Sequence, residues 1–193
     1  WLSTVPRATQ EQHLASSIAT LRAHEPDWPN TFAFSELSEH QQVELGKACA
    51  GSVGCLTGTP GTGKTFALSA AIRGISDTYG PGSVAVCCPT GKAARRATDV
   101  LYAAGIRLDA TTIHRLLGVQ PHLGDNGDGG WSFAYGPGSP LPQRFVIVDE
   151  ASMCDTFITS ALLAARGQNT HVLFVGDTNQ LPPVGHGSPL RDF

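Results

Sequence analysis

Apolar residues change their spacing several times along this 193-residue chain, and each change marks an element. Between residues 8 and 24, Leu14, Ile18 and Leu21 recur at helical intervals, and Pro26 and Pro29 then break the pattern. Ser38, followed three positions later by Gln41, predicts a capped helix over 38–50. Four short runs are apolar almost throughout: residues 53–57, 84–88, 145–148 and 171–175. Their length and β-branched content read as strands buried on both faces. Helices are predicted between them at 66–72, 91–104 and 155–166, with a further helical turn or two at 112–117. Continuous apolar strands alternating with helices predict an α/β fold, a parallel sheet with helices on both faces.

Residues 119–143 differ from the rest. Gly124, Gly127, Gly129, Gly130, Gly136 and Gly138 crowd this stretch together with Pro121, Pro137, Pro140 and Pro142. Trp131, Phe133 and Tyr135 alternate with small residues at strand spacing, so a small β-hairpin inserted into the domain is expected. These aromatic side chains suit two uses. They could stack on bases, or they could pack the hairpin onto the domain.

The hydrophobic fraction of 41% and charged fraction of 15% fit one packed globular domain. A net charge of −3 does not advertise nucleic-acid binding, although a groove can be basic while the whole is not. Cys49, Cys55, Cys87, Cys88 and Cys154 are odd in number and form no CxxC pair, which points away from a disulfide framework or a zinc site. They read as small core residues in a reducing interior, so a cytoplasmic location is expected. No run reaches the ~20 apolar residues a membrane span needs, and no signal peptide is visible.

The chemistry begins at Gly58-Thr59-Pro60-Gly61-Thr62-Gly63-Lys64-Thr65, a complete GxxxxGK[ST] loop set between a predicted strand and a predicted helix. Gly58, Pro60, Gly61, Thr62 and Gly63 shape a backbone whose N–H groups can point at phosphate oxygens, at the positive end of the next helix. Lys64 can reach the β- and γ-phosphates of ATP, and the Thr65 hydroxyl can bind Mg²⁺. Asp149 and Glu150 directly follow the strand at 145–148, at the edge where open α/β sheets bind ligands. Asp149 is placed to hold Mg²⁺ through water, and Glu150 to orient and deprotonate an attacking water. Gly176-Asp177-Thr178-Asn179-Gln180-Leu181-Pro182-Pro183-Val184-Gly185 leaves the last strand at that same edge, where Gln180 can bond the γ-phosphate and the attacking water. Lys64, Glu150 and Gln180 are therefore the expected catalytic residues.

Together these residues resemble superfamily 1 helicases, most closely the RecD-like branch, over about residues 37–193. Leu37-Ser38-Glu39-His40-Gln41 is similar to the adenine-reading motif of that family, with Gln41 in the reading position. The phosphate loop corresponds to motif I. Pro89-Thr90-Gly91-Lys92-Ala93-Ala94-Arg95-Arg96 is similar to motif Ia, and Thr112-Ile113-His114-Arg115-Leu116-Leu117-Gly118 to the DNA-contacting motif after it. Asp149-Glu150-Ala151-Ser152-Met153 is similar to motif II, and residues 176–185 to motif III. The resemblance implies a RecA-like P-loop NTPase domain and ATP-driven movement on single-stranded DNA in the 5′→3′ direction.

On the DNA side, Pro89, Thr90 and Gly91 end a strand and open a helix, so backbone N–H groups and the Thr90 hydroxyl can meet a phosphate. Thr90-Gly91-Lys92 is not a second phosphate loop, because Val86 stands where the first glycine belongs and Ala93 where the hydroxyl belongs. Lys92, Arg95 and Arg96 are basic, but adjacent Arg95 and Arg96 cannot both face one DNA strand. The motif match adds Thr112 and His114 as DNA contacts, a structural role for His114 remaining open. The hairpin at 119–143 lies where RecD-like helicases carry a small inserted subdomain that acts as a pin between separating strands.

The expected organisation is an N-terminal helical segment (1–36) trailing from a preceding domain, then a first motor domain (37–193). Motifs IV–VI have no counterpart, so a second RecA-like domain is expected in the same parent chain, with possible nuclease or relaxase partners. The chain alone is expected to be nearly inactive. The rival readings are an ATPase of another P-loop family and a nucleotide-gated DNA clamp that binds without translocating.

Overall fold

Phe145-Val146-Ile147-Val148 has no polar side chain and can only be satisfied with cover on both faces. In the computed structural model, which describes residues 7–24, 37–58, 63–123, 129–177 and 185–191, this segment is a central strand with every residue buried. The strands are β1 (Val53–Thr57), β2 (Val84–Cys88), β3 (Thr111–Thr112), β4 (Val119–Leu123), β5 (Gly129–Phe133), β6 (Phe145–Val148) and β7 (His171–Gly176). The helices are α1 (Arg7–Ala23), α2 (Glu39–Ala48), α3 (Lys64–Tyr79), α4 (Gly91–Ala103), α5 (Ile113–Leu116) and α6 (Thr156–Ala165). Five strands form one parallel sheet in the order β1-β7-β6-β2-β3, and β4 and β5 form a separate antiparallel pair.

The two faces of the sheet carry different helices. Val84, Val86, Phe145, Ile147, Leu173 and Val175 point to one side, where they pack with Leu45 of α2, Ile72 and Ile75 of α3 and Leu101 of α4. Val146, Val148, Val172 and Phe174 point to the other and meet Leu14 and Ile18 of α1, Ile113 of α5 and Leu162 of α6. The period-2 alternation along each strand feeds both layers. Helix α1 thus shares a core with the sheet, and the Leu21 carbonyl near its end accepts from the Ser52 amide.

The expected elements are present, most with ends shifted by a residue or two; the exception is α3, expected over 66–72, which runs on to Tyr79. The capping box is formed: Ser38 Oγ accepts from the Gln41 amide, and Gln41 Oε1 accepts from the Ser38 amide. Strand β3 was not expected from the pattern, since two threonines carry no periodicity. It exists because Thr111 and Thr112 lie alongside Cys87 and Cys88. The inserted hairpin is real, with Val119 opposite Phe133 and Pro121 opposite Trp131. Its aromatic side chains divide. Phe133 and Tyr135 are half-buried against the second core, whereas Trp131 is 76% exposed.

One core group makes stability sensitive to acid. His171 is fully buried, stacks on Phe145 with ring centroids 5.2 Å apart, and its Nδ1–H donates to the Gly51 carbonyl. Burial pushes its pKa down from 6.5 to about 4, against the opposing pull of backbone hydrogen bonds to Gly51 and Ala48. The folded state therefore resists a proton that the unfolded chain accepts. The stabilisation is complete above the unfolded pKa of 6.5 and is lost as pH falls towards about 4. We expect His171→Gln to flatten the stability profile between those limits, by roughly 3 kcal/mol relative to the parent at the acid end. Urea midpoints at a series of pH values check this, and parallel profiles for both proteins would refute it.

Candidate nucleotide site and DNA-facing edge

Strand β1 ends at Thr57 and α3 starts at Lys64, so the phosphate-loop segment leaves the sheet at its carboxyl edge. Gly63 takes the N-cap position with φ 80°, a left-handed conformation that glycine adopts without strain. It provides no side-chain cap to the first amides of a 16-residue helix. The Lys64 ammonium donates to the Gly58 carbonyl across the mouth of the loop. Thr65 sits exposed on the first turn of α3. Gln41 reaches this loop from α2: a Cβ built on Gly63 would lie 2.6 Å from Gln41 Nε2. One face of the Gln41 amide closes the capping box, and the other touches the phosphate loop. Pro60, Gly61, Thr62 and Gln180 lie outside the described residues.

Strand order sets the distance to the acidic pair. β7 lies between β1 and β6, so loop and acids are separated by two strand spacings, about 9–10 Å. Asp149 continues β6, with its amide donating to the Cys87 carbonyl and its Oδ1 accepting from the Glu150 amide at 3.0 Å. Burial raises the Asp149 pKa. The Glu150 N–H bond opposes that rise, the Glu150 carboxylate adds to it, and Arg96 and then Lys64 oppose it. Glu150 has φ 55° and ψ 39°, the one non-glycine residue with positive φ among the described residues. Such backbone costs about 1–2 kcal/mol and persists only where the surroundings enforce it.

Those surroundings are visible. A short 3₁₀ turn, Ala151–Met153, follows Glu150 and presses on Gly176 at the end of β7. A Cβ on Gly176 would lie 2.7 Å from Leu190 Cδ2, 3.1 Å from the Ser152 nitrogen and 3.4 Å from the Ala151 nitrogen. The Gly176 carbonyl also accepts from the Gly58 amide at 3.3 Å. Gly176 therefore touches both the entry to the phosphate loop and the turn carrying Glu150. Asp177, the next residue, is buried.

A cleft of about 730 Å³ opens here between α3 and α4, with Lys64, Thr65, Arg96, Asp149, Glu150 and Asp177 on its lining. A hydroxyl at the start of a helix and a carboxylate facing the same space fit a magnesium ion that completes its shell with phosphate and water. No group of three or more His, Cys, Asp or Glu side chains able to hold a metal by themselves occurs among the described residues. A larger groove, about 920 Å³, lies between α1 and α6 and is lined by residues such as Gln10, His13, Phe157 and Arg166. It contains none of the motif residues.

The DNA-side residues gather at the far half of the same edge. Thr90 caps α4 and Thr112 caps α5, each side-chain oxygen accepting an amide hydrogen bond of 3.2 Å. Because Cys88 pairs with Thr112, both threonines leave the sheet side by side, with a hydroxyl proton still able to donate. Pro89 is half-buried, and Gly91 and Lys92 are exposed. His114 is exposed and leans on Phe133 of the hairpin, centroids 6.1 Å apart, and Phe133 in turn lies 6.3 Å from Phe157. His114 thus packs against the hairpin.

The pattern had not separated Arg95 from Arg96. Ala93, Arg96, Ala97, Val100 and Leu101 share the cleft-facing stripe of α4, so Arg96 borders the nucleotide side. The signal was available in sequence, as an arginine at −3, +1, +4 and +5 from apolar residues.

In the full-length protein we expect Gly176→Ala to reduce ATP turnover by about tenfold, through pressure of the new Cβ on the Ser152 amide in the turn that follows Glu150. Nucleotide affinity should change far less. Steady-state hydrolysis and fluorescent-nucleotide titration separate the two, and unchanged turnover would remove the coupling between Gly176 and Glu150.

The family model described as "AAA domain" matches residues 41–186. The ATP-dependent RecD2 DNA helicase of Deinococcus radiodurans is 39% identical over 189 residues, covering 93% of this chain and 24% of that protein. The RecBCD enzyme subunit RecD of Mycolicibacterium smegmatis is 33% identical over 171 residues, covering 80% of this chain and 30% of the relative. Among solved structures, unliganded Pif1 from Bacteroides sp. aligns with a TM-score of 0.48 and 23% identity, over 81% of this chain and 36% of that one. The chain thus spans less than a third of the length of these curated relatives. The family match encloses the phosphate loop, the acidic pair and the intervening motifs, and the chain belongs to the AAA domain family of P-loop ATPases, in its RecD-like superfamily 1 branch.

Proposed function

We propose that this domain is the ATP-binding first motor domain of a DNA helicase, and that its parent protein moves along single-stranded DNA and unwinds duplex. The observation that carries this reading is the convergence of Lys64, Thr65, Asp149 and Glu150 on one cleft, two strand spacings wide, at the carboxyl edge of the sheet. Uncapped amides of α3 and the Lys64 ammonium bind and orient the triphosphate of ATP. Thr65 and Asp149 would hold Mg²⁺, which would supply charge neutralisation at the phosphates. Glu150, on the cleft lining, takes the proton from water. Gln41, against Gly63, reads the adenine, and Gln180 senses the γ-phosphate.

Single-stranded DNA is assigned to Pro89, Thr90, Gly91, Lys92, Thr112 and His114. Two threonine-capped helix starts side by side offer amides and hydroxyls to consecutive phosphates. Movement in the 5′→3′ direction, a second RecA-like domain in the same parent chain, and nuclease or relaxase partners rest on the likeness to RecD proteins. A cytoplasmic setting is supported by five free thiols, four of them buried. Among the described residues no helix is long and apolar enough to cross a membrane.

In the full-length protein, single-stranded DNA should stimulate ATP hydrolysis, and Lys64→Ala or Glu150→Gln should each abolish at least ~99% of it. DNA binding without stimulation would favour the clamp reading instead. Duplexes with a single 5′ or 3′ tail test the direction. The exposed Trp131 supports a strand-separating role for the hairpin. Trp131→Ala should lower unwinding while leaving DNA-stimulated hydrolysis within about twofold, since a base–aromatic stack is worth ~1–3 kcal/mol. Equal unwinding by both proteins would leave the hairpin a packing element.

A further inference from the structure

The inserted hairpin is joined to the domain by backbone suited to a hinge. The chain leaves α5 and enters the hairpin through Gly118, left-handed at φ 66°. It returns through Gly136-Pro137-Gly138-Ser139-Pro140 before Leu141 re-enters the second core. Three backbone hydrogen bonds hold the base. The Ala134 amide donates to the Gly118 carbonyl and the Tyr135 amide to the Leu117 carbonyl, each at 3.1 Å. The Leu141 amide donates at 2.7 Å to the carbonyl of Ala165, the last residue of α6. These bonds fix where the hairpin is attached, and a line of attachment is also an axis about which an arm can turn.

Side chains add a brace. Phe133, opposite Val119 at the foot of the hairpin, has ring centroids of His114 at 6.1 Å and of Phe157 at 6.3 Å. Both lie within the range of aromatic pairs. The core does not account for Phe157. Helix α6 buries Ile158, Leu162 and Leu163, whereas Phe157 is 50% exposed and belongs to neither hydrophobic cluster. Its backbone is well anchored. Asp155 Oδ1 accepts from the Ile158 amide at 2.9 Å, and the Thr156 amide donates to the His186 carbonyl at 2.9 Å.

We propose that Phe157 is a positioning residue for strand separation: its contact with Phe133 braces the hairpin at a fixed angle to the motor domain. The inference rests on the reading of the hairpin as the strand-separating element. Helix α6 then grips the insert twice, through the Phe157 ring at its start and the Ala165 carbonyl at its end. A motor step opens base pairs only if the arm that meets the duplex does not yield. A hairpin free to turn at Gly118 would swing aside, and ATP would be hydrolysed along the single strand without opening the duplex.

The test uses the full-length protein, oligo-dT and a tailed duplex. Phe157→Ala should lower the base pairs opened per ATP hydrolysed by about fivefold, the order expected for one lost aromatic pair. Oligo-dT affinity and oligo-dT-stimulated hydrolysis should stay within about twofold of the parent. Phe157→Tyr keeps the ring and should unwind as the parent does. Hydrogen exchange at the Ala134 and Tyr135 amides should quicken in Phe157→Ala while exchange in β6 does not, a local change that a general loss of stability would not give. Unchanged exchange at those two amides overturns the proposal, and so does hydrolysis that falls in step with unwinding. Trp131→Ala is the control. If it unwinds as the parent does, the strand-separating reading fails and this inference with it. If Trp131→Ala is impaired and Phe157→Ala unwinds normally, this inference alone fails.

Discussion

Everything at this site depends on β7 lying between the phosphate-loop strand and the acid-bearing strand. Were β1 and β6 neighbours, the Lys64 turn and the Glu150 carboxylate would sit one strand spacing apart, about 5 Å, with no room for a phosphate and an attacking water. Two spacings leave that room. The price of the arrangement is crowding at the end of β7, where the Glu150 turn and the start of the phosphate loop converge on Gly176. A Cβ there would press on Leu190 and on the Ser152 amide, which would have to give way. The Gly176 carbonyl holds the Gly58 amide, so the nucleotide loop, the acid turn and the last core strand are connected through one position.

Electrostatics at the edge follow from the burial beneath it. A strand as apolar as β6 cannot place charge along its length, so the carboxylates come at its end. There they are partly desolvated. Burial and the neighbouring Glu150 push the Asp149 pKa up, while the Glu150 amide, Arg96 and Lys64 pull it down. The site is thus a balance of opposed charges before any ligand enters. The five cysteines take no part in it. Burial raises Cys49, Cys88 and Cys154 to about 12 and Cys55 to about 11, which leaves them as protonated packing groups.

Several side chains serve two structures at once, and this ties local elements to the site. Gln41 caps its own helix and lies against Gly63. Thr90 and Thr112 cap helices and present a paired polar edge. His114 shares a ring contact with Phe133, which ties the inserted hairpin to the motif that follows motif Ia. Trp131 alone among the hairpin aromatics is left in solvent.

Much of this was legible in the linear order of residues. The buried strands announced themselves because a strand covered on both faces has to be apolar throughout. The capping box was legible because it is closed within four residues, and the phosphate loop because its geometry depends on glycine at fixed offsets. Tertiary structure alone decided the strand order and the left-handed backbone of Glu150. It also made β3, whose two threonines become a strand only beside β2, and it settled which hairpin aromatics pack and which stand free. The division has one physical cause. Propensity, capping and periodicity act within a few residues of chain, whereas spacing between strands, the field at a carboxylate and the room for a Cβ are set by segments far apart in sequence that meet only when the sheet closes.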